Sequence, residues 1–149
     1  MLQENFIRFQ LNLFKPFASS CSLKLAREGQ DKLGELFAFA YKNDVKYESC
    51  TLDGFEAVMI SPEDELTGGI ILYLHGGGYT CGDIKYAKGF GTTLASKCGI
   101  KVFCPAYRLA PESVFPAAVD DALASYKYLI TLGFAPADII LCGESAGGG

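Results

Sequence analysis

Ser145 stands at the centre of Gly143-Glu144-Ser145-Ala146-Gly147, directly after the apolar run Ile139-Ile140-Leu141-Cys142. This pattern predicts a strand that turns sharply into a helix, with the serine held in a strained backbone conformation and its hydroxyl exposed. A second stretch, His75-Gly76-Gly77-Gly78, follows another apolar run, Ile70-Ile71-Leu72-Tyr73-Leu74. A serine hydroxyl is a weak nucleophile, so acyl transfer needs a base to take its proton and donors to hold the oxyanion that forms on the substrate carbonyl. The glycine loop can supply donors, because three glycines let backbone N–H groups turn toward a site without Cβ obstruction, and the amide of Ala146 can join them. Alone, each motif is ambiguous. A glycine run after a strand also serves as a flexible loop or a phosphate cradle, and a lone G-x-S-x-G arises by chance. Together, each at the end of its own apolar strand, they describe a catalytic site with Ser145 as nucleophile.

The elements that must carry these residues follow from periodicity. Phe6, Phe9 and Leu13, with Ile7, Leu11 and Phe14, predict a helix from Gln3 to Phe14 that Lys15-Pro16 ends. A second helix is predicted from about Leu23 to Tyr41, with Leu25, Leu33, Leu36, Phe37 and Ala40 on one side. Two uses are open for this pair: packing on a core, or covering an apolar site as a lid. The period then changes to two. Val45, Tyr47 and Ser49 alternate with charged residues, Asp53-Gly54 marks a tight turn, and Phe55, Ala57 and Met59 continue to Ser61-Pro62, so a hairpin is predicted. The run Ile70–Leu74 has the continuous apolar character of a strand buried on both faces. Asp83 is placed to cap a helix with Ala87, Phe90, Leu94 and Cys98 in helical spacing, closed by Gly99. A strand at 100–104 follows, then an irregular segment, then a helix with Pro116 near its start, Val119, Leu123, Tyr126 and Ile130 along one face, and Gly133 at its end. Strands alternating with helices after residue 70 require crossovers, hence parallel strands with helices on both faces.

Composition narrows the chemistry. Half of the 149 residues are apolar and a fifth are charged, the balance of a globular domain. The net charge of −4, with 13 scattered basic residues, argues against nucleic acid as a partner. No apolar stretch nears the roughly 20 residues that span a bilayer, and the N-terminus lacks the basic start and apolar run of a secretory signal, so a cytoplasmic location is expected. Six cysteines without a C-x-x-C pair, and a single histidine, point to reduced packing thiols and no metal site.

The motifs "HGGGYTCGD" at 75–83, "YRLAPE" at 107–112, "FPAAVDDA" at 115–122 and "GESAGG" at 143–148, in that order and spacing, resemble the hormone-sensitive-lipase family of α/β-hydrolase esterases. The resemblance covers residues 51–149. It implies the α/β-hydrolase fold, a mostly parallel sheet with helices on both faces, divided into an N-terminal helical cap at 1–44 and the N-terminal half of the hydrolase core at 45–149. It implies Ser145 as nucleophile, Gly77, Gly78 and Ala146 as oxyanion-hole amides, and supporting roles for His75, Gly76, Gly143 and Gly147. It further implies a small-molecule substrate with a short acyl ester, and no cofactor. The 107–112 segment becomes a structural loop in which Arg108 and Glu112 serve an ion pair rather than clamp substrate, and Asp120 and Asp121 oppose a helix dipole. Tyr79 either lines the acyl pocket or only packs beside it. The family's triad runs Ser, then Asp or Glu, then His, yet no histidine follows Ser145. The 149 residues are therefore expected to be the N-terminal half of a longer esterase, without its catalytic acid and base and inactive alone. The alternative is a non-catalytic, receptor-like relative that binds a small molecule in the same pocket.

Overall fold

The computed structural model describes residues 22–149; the helix predicted at Gln3–Phe14 lies outside them. The chain runs as helix α1 (Leu23–Tyr41), strands β1 (Val45–Leu52), β2 (Phe55–Pro62) and β3 (Ile70–Leu74), helix α2 (Ile84–Cys98), strand β4 (Lys101–Pro105), helix α3 (Ala117–Thr131) and strand β5 (Ile139–Gly143). A single 3₁₀ turn, Ser145–Gly148, follows β5.

Local chemistry sets most of these boundaries. Asp53 and Gly54 both take positive φ, 43° and 92°, which is what a two-residue hairpin needs to match the strand twist, and Leu52 pairs with Phe55 across it. Asp83 caps α2 through Oδ1, which accepts the Lys85 amide at 2.7 Å, and Gly99 closes the helix at φ 63° with its N–H on the Ala95 carbonyl.

The five strands form one sheet in the order β1-β2-β4-β3-β5. Strands β4, β3 and β5 are parallel, as the alternation after residue 70 requires, while β1 and β2 pair antiparallel with each other and β2 pairs antiparallel with β4. The sheet is thus mixed, its parallel part holding both chemical motifs. Alternate residues feed two cores. Val58, Ile60, Ile71, Tyr73, Val102 and Cys104 pack with Ala87 and Ala95 of α2. Ala57, Ile70, Leu72 and Phe103 pack with Leu129 of α3 on the other face. Helices therefore cover both faces.

Two helices bury different faces from those their periodicity predicts. In α3 the inward positions are Ala117, Asp121, Ser125 and Leu129, while Val119 and Leu123 are half exposed. Asp121, 2% exposed, is accepted inside because its carboxylate receives the Arg108 amide at 2.8 Å and the Arg108 guanidinium at 2.7 to 3.1 Å. In α1 the leucines Leu25, Leu33 and Leu36 are exposed, and the contact with α2 is made at Gly34. A Cβ on Gly34 would strike the Lys85–Tyr86 backbone, and one on Gly89 would strike the Gly34 backbone, so the helices touch main chain to main chain.

Candidate active site

Strands β3 and β5 are parallel neighbours, with Leu74 opposite Gly143, so the segments leaving their C-terminal ends lie side by side. From β5 the chain passes through Glu144 in extended conformation to Ser145 at φ 49°, a left-handed value that is uncommon away from glycine. Such a residue stores roughly 1–3 kcal/mol of strain and persists only where its surroundings over-determine it. Those surroundings are the flanking glycines. A Cβ on Gly143 would strike the Gly147 carbonyl, and a Cβ on Gly147 would strike the carbonyls of Leu74 and His75. Ser145 itself is exposed.

Beside it, the loop after β3 turns through Gly77 at φ 129°, Gly78 at φ 62° and Tyr79 at φ 59°. The Gly77 carbonyl accepts from the Thr80 amide at 3.1 Å, the Cys81 amide at 3.0 Å and the Thr80 hydroxyl at 3.2 Å. The Gly76 carbonyl accepts from His75 Nδ1 at 2.8 Å and Gln30 Nε2 at 3.2 Å. A trans peptide is planar, with its C=O and N–H opposed, so anchoring these two carbonyls turns the Gly77 and Gly78 amides the other way. Neither amide meets a backbone acceptor among the described residues.

Glu144 ties the two segments together. Its Oε1 accepts from the Gly76 amide at 3.1 Å, the Tyr86 hydroxyl at 2.6 Å and the Tyr73 hydroxyl at 3.0 Å. Burial pushes this carboxyl's pKa up, but the three donors outweigh it and hold the pKa below its usual value. Burial and the same carboxylate push the Tyr86 phenol up to about 12, so it stays a donor. Position 144 is one of the two variable positions of the serine motif. Nothing in the local pattern linked it to Tyr73 and Tyr86, although an acid following an apolar strand signals a partner nearby.

His75 is fully buried, its ring stacked 4.1 Å from that of Tyr107, whose hydroxyl donates to the His75 carbonyl. A carbonyl can only accept, so Nδ1 carries the proton and Nε2 is a bare acceptor, buried without a partner among the described residues. Burial lowers the histidine's pKa and favours the neutral ring. The 107–112 segment carries two ion pairs: Arg108 pairs with Asp121, and Glu112 pairs bidentately with Arg27 of α1 at 2.7 and 2.8 Å. Tyr79 lines an apolar cavity of about 520 Å³ together with Val114, Phe115, Pro116, Ala118 and Val119. Among the described residues no group of three or more His, Cys, Asp or Glu could hold a metal ion. No described helix is long and apolar enough to cross a membrane.

A family model described as the alpha/beta hydrolase fold matches residues 71–149, which include both the glycine loop and the serine turn. The chain belongs to the α/β-hydrolase fold family. This chain is 30% identical to LipR of Mycobacterium tuberculosis, named as an acetyl-hydrolase, over 99% of the chain and 48% of that protein. Its fold matches EstE5 soaked with p-nitrophenyl butyrate at a TM-score of 0.76 and 36% identity, over 87% of this chain and 42% of that one. It matches an esterase of the bacterial hormone-sensitive-lipase family at 0.75 and 33%, over 86% and 42%. The chain thus spans about half the length of these relatives, and its structural neighbours are bacterial hormone-sensitive-lipase-family esterases.

Proposed function

We propose that the intact protein is a carboxylic-ester hydrolase that acts on short-chain acyl esters, with Ser145 as nucleophile and the amides of Gly77, Gly78 and Ala146 as its oxyanion hole. In this mechanism Ser145 Oγ attacks the ester carbonyl and its proton passes to a base. The carbonyl electron pair moves onto oxygen and is held by the three amides. On collapse the base returns the proton to the leaving oxygen and the alcohol departs, leaving an acyl-enzyme that water hydrolyses to the free acid with the serine hydroxyl restored. Gly76, Gly143 and Gly147 keep the two segments at the required approach, and His75 acts by holding the loop. Residues 1–44 act as a cap over the substrate, and the location is cytoplasmic.

The single observation that carries this reading is the seating of the strained Ser145 turn directly beneath the loop whose amides are turned outward. A Cβ at Gly147 has no room below Leu74 and His75, and Glu144 accepts the Gly76 amide. The acetyl group in the name of LipR and the butyrate ester with which EstE5 was soaked support a small acyl group. The only histidine of the 149 residues is His75, buried and committed to the Gly76 carbonyl, so this stretch lacks a base of its own for Ser145. We therefore expect it to be inactive by itself. In the intact protein, Ser145→Ala is expected to lower kcat on p-nitrophenyl acetate by about 10⁴-fold or more. Turnover at the wild-type rate in that variant would refute the assignment.

A further inference from the structure

Helix α1 reaches the glycine loop with two side chains, and both end on backbone carbonyls. Arg27 and Gln30 are three residues apart and so share a helix face. Gln30 Nε2 donates to the Gly76 carbonyl at 3.2 Å. Arg27 Nε donates to the Thr80 carbonyl at 2.7 Å, and Nη2 donates to the Ala110 carbonyl at 3.0 Å as well as to Glu112. The Ala110 amide in turn donates to the Tyr79 carbonyl at 2.8 Å. One arginine thus joins three separate stretches: α1, the turn after β3, and the 107–112 segment.

The consequence follows from peptide geometry. The Gly76 carbonyl and the Gly77 N–H belong to one plane and point oppositely, so the group that grips the carbonyl aims the amide. Among the described residues Gln30 is one of two such grips, the other being His75 within the loop itself. The Gly77 carbonyl, which aims the Gly78 amide, is gripped by the amides and hydroxyl of Thr80 and Cys81, and Arg27 holds the Thr80 carbonyl. Both donors are therefore oriented partly from outside the loop.

We propose that Arg27 and Gln30 are positioning residues for the oxyanion hole, acting through the carbonyls of Gly76 and Thr80. The inference rests on the esterase reading given above. Its logic is electrostatic preorganisation: donors fixed before charge develops stabilise it most, and a displacement of about 1 Å can cost on the order of 10²-fold. The contribution of Glu112 is smaller. Its carboxylate is largely exposed, where an ion pair is screened, whereas the carbonyl contacts of Arg27 are part-buried.

The test uses the intact protein with p-nitrophenyl acetate. Arg27→Met and Gln30→Met keep the aliphatic stems and remove the donors. Each is expected to lower kcat by roughly 10–100-fold while KM stays within about twofold, and to weaken a boronic-acid inhibitor that forms a tetrahedral adduct with serine in the same proportion. Arg27→Lys, which retains a single donor head, is expected to recover part of the loss. Amide hydrogen exchange of residues 76–82 is expected to quicken by about tenfold in both methionine variants, a readout that needs no turnover. Were the wild-type protein to hydrolyse no ester, the functional reading would fall while exchange still decided the bracing. If Arg27→Met fails to fold, Gln30→Met alone decides. Unchanged kcat with unchanged exchange, or a rise in KM at constant kcat, overturns the proposal.

Discussion

Tyr79, at the end of the glycine loop, and the apolar shelf that runs from Val114 to Val119 border the same cavity, yet the loop and the shelf are held in opposite ways. In the loop, the Gly76, Gly77 and Thr80 carbonyls each have named donors, three successive residues take positive φ, and a Cβ at Gly77 would strike the Cys81 carbonyl. On the shelf, Val114, Phe115 and Val119 are 69%, 86% and 51% exposed. Under the proposed mechanism the loop must present dipoles to within fractions of an ångström, which only directional bonds and backbone crowding achieve. The shelf need only be apolar and approximately placed, since apolar burial is non-directional. Precision is concentrated where charge would develop, and tolerance where a hydrocarbon chain would lie.

The largest effect should come from breaking the precise side. Gly147→Ala forces a side chain against the Leu74 and His75 carbonyls, and Gly77→Ala does the same at Cys81 in a backbone region that disfavours it. Each is expected to reduce kcat by about 10²–10³-fold in steady-state assays of the intact protein. Next is Glu144→Gln. It keeps the shape but weakens acceptance from Tyr73, Tyr86 and the Gly76 amide, and thermal unfolding should register a loss of about 1–3 kcal/mol. Because the folded pKa of Glu144 lies below its unfolded value, this stability is present above about pH 4.3 and is lost as pH falls below it. The variant should flatten that acid limb.

How far these features were legible in the sequence depends on the range of the interaction behind each. The Asp53-Gly54 turn, the Asp83 cap and the Gly99 stop are decided within a few residues and could be recognised from residue type. So could the succession of strands and helices that brings His75–Gly78 and Ser145 to adjacent strand ends. The inward face of α3 could not. Its periodicity favoured Val119 and Leu123, whereas Asp121 is drawn inside by Arg108, thirteen residues earlier. The same holds for Arg27 with Glu112 and for Glu144 with Tyr86, pairs that only the folded topology brings together. Helix α1 likewise joins α2 through Gly34 and Gly89, which carry no apolar signal at all.

On the tolerant side, Phe115→Ala is expected to change stability by no more than about 0.5 kcal/mol while altering KM among esters of different acyl length. A loss of about 3 kcal/mol or more would show the shelf to be core and erase the contrast. The smallest effect concerns the junction of α1 with α2. Burial, together with a hydrogen bond and charge from Asp83, pushes the Asp31 carboxyl up to about 6. Since its unfolded value is about 3.9, the stability it adds is present below that pH and is lost as pH rises through about 6. Asp31→Asn should remove this decline from the melting curves between pH 4 and 6.

The most direct measurement is covalent. The intact protein is incubated with a p-nitrophenyl alkylphosphonate, whose phosphorus is attacked by an activated serine oxygen with release of p-nitrophenolate, and the digest is analysed by mass spectrometry. One phosphonyl group per chain on Ser145, installed in step with p-nitrophenolate release and with loss of esterase activity, is the predicted result. Esterase activity that survives with Ser145 unmodified, or inactivation with the label on another residue, would contradict it.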